Sequence, residues 1–123
     1  MGRLDTDKNV WVSSVRPDGR PHLVPIWFVY REDRFWLCTN SDSVKIHNLR
    51  HSPTVSLSLE DGNTPVVVEG TAEIHPPPYP DDVVVAFFDK FGWNITRRDA
   101  ADGAYDALVE VNIDRWLMGG PAT

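Results

Sequence analysis

The sequence predicts a mainly β (α+β) domain, a closed or nearly closed barrel of six antiparallel strands with short flanking helices. Three observations predict it. Six short runs rich in Val, Ile, Leu, Trp and Phe recur along 123 residues, separated by turn chemistry. Only two stretches, 44–50 and 81–91, carry helix signals. The alternating strand–helix units of a doubly wound sheet are absent, and closing so small a sheet removes its exposed edges.

The elements follow in order. Residues 1–9 are a polar, flexible lead and 119–123 a flexible tail, leaving 10–118 as one barrel domain; a second core has no room in 123 residues. Val10 to Val15 is β-rich, and Arg16-Pro17-Asp18-Gly19-Arg20 supplies a turn, with Pro presetting φ and Gly accepting a positive one. His22 to Tyr30 completes a hairpin. Pro25 lies inside that strand and cannot donate to a ladder, so it marks an edge, a bulge or a place where no strand lies alongside. Arg31-Glu32-Asp33-Arg34 is a charged turn before a third strand, Phe35 to Thr39. Asn40-Ser41-Asp42-Ser43 is a run of N-cap residues that opens a helix, Val44 to Arg50, closed from outside by Pro53. Val55, Leu57 and Leu59 alternate with Ser56 and Ser58 in a half-buried strand. Pro65 to Ile74 is a Val-rich strand in which Glu69-Gly70 suggests a bulge. Pro76-Pro77-Pro78 and Pro80 make a stiff connector. Asp81-Asp82 suits the positive end of a helix that runs to Gly92. Ala107 to Trp116 alternates as the last strand.

Composition narrows the function. A net charge of −6 argues against a general nucleic-acid binder, so an anionic ligand needs a locally basic site. The single Cys38 excludes an intrachain disulfide framework and a four-thiolate zinc site, and it fits a reducing, cytoplasmic setting as a buried structural thiol. No run approaches the ~20 apolar residues of a membrane span, and the first nine residues lack an apolar signal core.

Chemistry concentrates in Thr39 to Arg50. Hydroxyls, a Lys, an Asn and an Arg surround the first turn of a short helix, where free N–H groups and the dipole favour phosphate; a plain capped helix with solvated Lys45 and Arg50 fits the spacing equally well. Walker and dinucleotide glycine motifs are absent. The acid pairs Glu32-Asp33 and Asp81-Asp82 lie in a turn and at a helix start, as solvated faces do. His22, His47, His51 and His75 lack metal-ligand spacing, and Ser13, Ser14 and Ser41 lack a Gly-x-Ser-x-Gly setting.

Three segments in register carry a resemblance. Val15-Arg-Pro-Asp-Gly-Arg-Pro-His-Leu-Val-Pro-Ile-Trp-Phe28, the Ser43-x-Lys45-x-x-Asn48-Leu49-Arg50 helix and Val66-Val-Val-Glu-Gly-Thr-Ala-Glu-Ile74 resemble the pyridoxamine 5′-phosphate oxidase-like split-barrel family. The resemblance implies an FMN-binding split barrel forming a homodimer, with cofactor sites at the subunit interface. It places Val24, Pro25, Ile26 and Trp27 along an isoalloxazine ring, and Thr39, Ser41, Ser43, Lys45 and Asn48 around a phosphate. It implies coenzyme F-420 or FMN as cofactor, with Lys45, Arg50, Arg97 and Arg98 available to a long anionic tail. The implied activity is hydride transfer to a small planar unsaturated substrate. The cofactor carries that reactivity, so no side chain is assigned as catalytic and no metal is expected; His22 is a weaker candidate proton donor. A non-catalytic FMN-binding or flavin-storage protein would use the same pocket.

Departures qualify the resemblance. Ser43 stands where some relatives carry Arg, and the usual N-terminal helix is shortened to Met1–Asn9. Asn112 to Gly120 holds one Arg, too few for oxidation of pyridoxamine phosphate itself. His22, His47 and His75 are disfavoured as haem ligands. Trp93 and Trp116 are candidates to close the site from a second subunit or to pack an ordinary dimer.

Overall fold

The computed structural model describes residues 2–97 and 105–123. Its elements are α1 (Arg3–Thr6), β1 (Asn9–Val15), β2 (Pro21–Arg31), β3 (Arg34–Thr39), α2 (Val44–His51), β4 (Thr54–Leu59), β5 (Val67–His75), α3 (Asp81–Phe91) and β6 (Ala107–Met118). The strands close in the order β1-β2-β3-β6-β5-β4, every pair antiparallel. β4 returns to β1 from Val10↔Leu59 to Ser13↔Ser56, which closes the ring of strands.

Period-two alternation builds the core. Val10 and Val12, Phe28, Phe35 and Leu37, Leu57 and Leu59, and Val109 and Val111 point into the barrel and are almost wholly buried. Ile46 and Leu49, three apart on one side of α2, close one end of it. A second cluster lies outside the barrel wall, where Val29, Trp36, Cys38 and Leu108 are covered by Val83 and Phe87 of α3. Cys38 is a buried free thiol, and it sits beneath α3 rather than inside the barrel.

The details that differ from the sequence reading have local causes. The β2–β3 turn shrinks to Glu32-Asp33, both with positive φ (54° and 60°), the type I′ pattern that matches strand twist. The expected bulge at Glu69-Gly70 is present: the β5–β6 register shifts there, and a Cβ on Gly70 would come within 2.6 Å of the Asn112 carbonyl oxygen. The leading segment holds the one-turn α1, whose Leu4 is buried in the core and whose Arg3 Nη1 donates to the Thr64 carbonyl at 2.6 Å. Arg98 lies outside the described residues.

Candidate functional site

β2 is longer than the strand beside it. Its ladder with β3 covers only Phe28↔Leu37 to Arg31↔Arg34, while Cys38 and Thr39 pair with β6 alone. Residues 21–27 therefore pair with β1 on one side and have no ladder on the other. The barrel is split at this edge. Phe28 N–H donates to the Lys8 carbonyl on the β1 side. Backbone groups alternate along a strand, so the nitrogen of Pro25, three residues earlier, faces the open edge. Proline's missing donor costs no ladder bond there. The Trp27 N–H and the carbonyls of Pro25 and Trp27 face the same way.

One end of this edge is aromatic. Trp27 stacks on Phe91 of α3 with ring centroids 4.4 Å apart and planes within 4°. Trp93 meets Trp27 edge-on at 5.9 Å and Tyr105 at 5.1 Å. Gly92 ends α3 in the left-handed region (φ 65°), turning the chain so that Trp93 comes back over the strand. Pro25, Ile26, Trp27, Cys38, Phe91 and Trp93 line a cleft of about 550 Å³, a volume suited to a flat heterocycle.

The other end is basic. Asn48, on α2, is buried and donates to Ser14 Oγ of β1 at 3.0 Å. Ser14 pairs directly with His22 of β2. Lys45 lies three residues before Asn48 on the same side of the helix, so this anchor brings Lys45 beside His22. Arg16, Arg20, Val44 and Asn48 line a second cavity of about 460 Å³ between the β1–β2 turn and α2. Arg20 is held by Asp18 at 2.8 Å, whereas Arg16 and Lys45 have no ion-pair partner among the described residues. Burial holds the Lys45 ammonium below its usual range. Burial first, and then the charges of Arg16 and Lys45, push the His22 imidazole below 6.5. Ser43 Oγ and His22 Nδ1 are buried without hydrogen-bond partners. Unsatisfied buried groups beside unpaired cations, at the free N–H end of a helix, form a site for an oxyanion. His22 and Trp27 are five residues apart, so the two ends lie ~16 Å from each other along an extended strand.

The structure thus brings most of the sequence-predicted residues to one edge and separates others. Pro25, Ile26 and Trp27 line the aromatic cleft. Val24 of β2 pairs with Val12 of β1, between the two ends. Ser43, Lys45 and Asn48 converge on the basic end. Thr39 is buried in the β3–β6 ladder. Ser41 is engaged elsewhere: its N–H and Oγ both donate to the Asp106 carboxylate at 2.8 Å, which places a negative charge against it. Trp116 packs toward the barrel core beside Phe35 and Tyr30, and Trp93 covers the cleft of its own chain.

Arg16 and Arg20 were not among the residues the sequence suggested for an anion, and His22 was suggested only as a proton donor, although the Pro-Asp-Gly turn between the two arginines was a sign that they would meet. Tyr105 carried no sequence signal. Two other features lie apart from this edge. A cavity of about 840 Å³ between α1, β2 and α3 is rimmed by Asp5, Asp81, Asp82 and Asp89 together with Lys8, Arg31 and Lys90, an excess of acid over base. Glu73, His75 and Glu110 bring three donor atoms within 4.8 Å, but His75 Nε2 and Glu110 Oε1 share a hydrogen bond at 2.8 Å and Arg34 holds Glu110 Oε2 at 2.8 Å. His75 and Glu110 are thus engaged with each other and with Arg34, and Glu73 is exposed beside them.

The family model described as pyridoxamine 5′-phosphate oxidase matches residues 3–118. Among curated proteins none matches the chain. Solved structures do. An F420 reductase superposes with a TM-score of 0.72 at 23% identity, covering 92% of this chain and 91% of that one. A conserved hypothetical protein from Mycobacterium tuberculosis gives 0.71 at 26% identity, over 98% and 89%. A heme storage protein from Vibrio cholerae gives 0.72 at 17% identity, over 94% and 91%. The first and third likenesses establish a shared fold alone.

Proposed function

The chain belongs to the pyridoxamine 5′-phosphate oxidase family, and from that premise we propose that it binds coenzyme F-420 or FMN along the open edge of β2 and transfers hydride between that cofactor and a small planar unsaturated substrate. One observation carries the reading. The unpaired edge of β2 joins an aromatic cleft to a cation-lined cavity, the shape and polarity of a flat ring with a phosphorylated tail. Val24, Pro25, Ile26 and Trp27 lie along the ring. The Trp27 N–H is a donor in the plane of the edge, able to tune the ring's electronics. Ser43, Lys45 and Asn48 hold the phosphate end together with Arg16; Thr39 and Ser41 support the loop, Ser41 through Asp106. Bound there, the cofactor supplies the redox chemistry, and the chain's residues orient it and exclude water from one face.

Arg20, beyond the phosphate contacts of Arg16 and Lys45, favours the longer anionic tail of the deazaflavin over FMN. The F420 reductase with the same fold agrees with that choice. A homodimer completes the site. Trp11, Val15, Leu23 and Trp27 project from one outer face of β1 and β2 and are exposed, with Leu23 at 59%. A contiguous apolar face beside the cleft suits a second copy of the chain.

Titration with FMN and F-420 side by side tests the reading. We expect one cofactor per subunit, quenching of Trp fluorescence, and weaker binding in Lys45→Ala by roughly 1–3 kcal/mol, the effect of losing a charge-assisted contact. If neither cofactor binds at micromolar concentration, the proposal fails. Binding without turnover against quinone-like acceptors would select the flavin-storage alternative. A Soret band on addition of hemin, with no flavin binding, would move the chain toward the storage protein whose fold it shares.

A further inference from the structure

His22 has no role in the cofactor reading above, yet it stands where that reading needs an anion contact. Its partner across the ladder is Ser14, whose Oγ already accepts from Asn48. Its Nδ1 is buried without a partner, and so is the Oγ of Ser43, the residue that precedes α2. The charged groups acting on it are Arg16, from the turn after β1, and Lys45, from α2. β1 contributes only Ser14. The one carboxylate in the adjoining turn, Asp18, is bound by Arg20 at 2.8 Å, and Asp42 at the start of α2 is exposed.

A strand histidine satisfied by the backbone would not leave Nδ1 orphaned between two cations. We propose that His22 is the proton-accepting contact of the anion site, neutral before the ligand arrives and protonated from solvent when a phosphate-bearing ligand seats among Arg16, Ser43 and Lys45. The step is a protonation alone. The imidazole lone pair takes one proton from the buffer, no bond in the ligand breaks, and the imidazolium donates a hydrogen bond to a phosphate oxygen. The direction follows from the charges present. Without a ligand, burial and two cations disfavour imidazolium. A dianion offsets Arg16 and Lys45 and attracts the third charge, so the midpoint of His22 rises on binding. Affinity from this residue therefore grows as pH falls through that raised midpoint and levels off below the midpoint of the free protein.

This inference rests on the proposed cofactor site, and the test separates the two. FMN is titrated calorimetrically at about pH 6.5 in two phosphate-free buffers of different ionisation enthalpy. The buffer dependence of the heat gives the protons exchanged per FMN, and wild type should take up more than His22→Asn, the difference approaching one proton at most. The ligand's own phosphate, with a second pKa near 6, titrates alike in both proteins. The ratio of wild-type to His22→Asn affinity should therefore rise roughly three- to sixfold from pH 8 to pH 6, the linkage for a midpoint below 6.5 raised by about one pH unit. Equal proton exchange in wild type and His22→Asn, or a flat ratio, overturns the role of His22 while leaving the cofactor site intact. Absence of FMN and F-420 binding at every pH overturns both. NMR titration of the His22 ring in wild type, with and without FMN, reads the same midpoint without a variant, and an unmoved midpoint counts against the proposal.

Discussion

Lys90 shows how far a single residue's chemistry departs from its sequence signal. In the helical pattern it is an ordinary late-helix cation, suited to the negative end of α3. In the fold it donates to the Phe28 carbonyl at 3.0 Å and sits 3.9 Å from the centroid of the Phe28 ring. Burial lowers its pKa to about 8, with Asp5 and Asp7 pulling the other way. The sign of the consequence is fixed. Above the folded midpoint the unfolded chain holds the proton that the folded one has lost, so stability rises with pH from about 8 toward 10. Tyr30, whose phenol is held above its usual value mainly by burial, reverses the trend beyond that. Urea melts at about pH 7.5 and 9.5 should show wild type gaining stability and Lys90→Met losing that gain. Gly70 is the opposite case, legible from the start. Its Cβ would meet the Asn112 carbonyl at 2.6 Å and Val111 Cγ1 at 2.7 Å, both across the β5–β6 bulge. Gly70→Ala should destabilise the domain by about 1–3 kcal/mol in denaturant melts, the usual effect of overpacking.

At the level of elements, local chemistry placed all six strands within a few residues of their ends, because period-two alternation and turn residues are short-range signals. The Glu32-Asp33 turn was recognised as a turn but not as a two-residue one. Neither residue favours positive φ, so sequence gave no reason to expect type I′ geometry. The flanking ladder imposes it: Arg31↔Arg34 and Tyr30↔Phe35 continue to the turn, and Arg31 is tied to Asp82 of α3 at 2.9 Å. Replacing Glu32-Asp33 by Asn-Gly should stabilise the protein by about 1 kcal/mol, read as a higher midpoint with unchanged m-value. α2 was harder to judge. Its capping run pointed to phosphate and to a bland helix equally, and Ser43 makes no side-chain cap hydrogen bond. What distinguishes the two is the Asn48–Ser14 anchor, a contact between residues 34 apart in sequence.

For the whole molecule, the decisive feature is the mismatch between an eleven-residue β2 and a six-residue β3. It opens the barrel on one side while the β1–β4 ladder closes it on the other. The apolar outer face of β1 and β2 borders that opening. If two copies pair through it, Leu23→Asp should convert the protein to a monomer by light scattering and weaken cofactor binding together with it. Retention of the dimer in Leu23→Asp would place the interface elsewhere.

The sequence by itself determined the barrel, its order of elements, the oddness of Pro25 and the concentration of polar chemistry in 39–50. These depend on alternation, turn residues and capping, all of which act within about ten residues. Only the tertiary structure decided what that chemistry faces. Arg16 and His22 join Lys45 because an antiparallel hairpin and a helix anchored by Asn48 converge, and Trp93 reaches Trp27 because α3 folds back across the wall. Ser41 turns to Asp106 for the same reason. Such meetings depend on ladder length and helix docking, quantities set by packing across the whole chain and invisible to any short window of sequence.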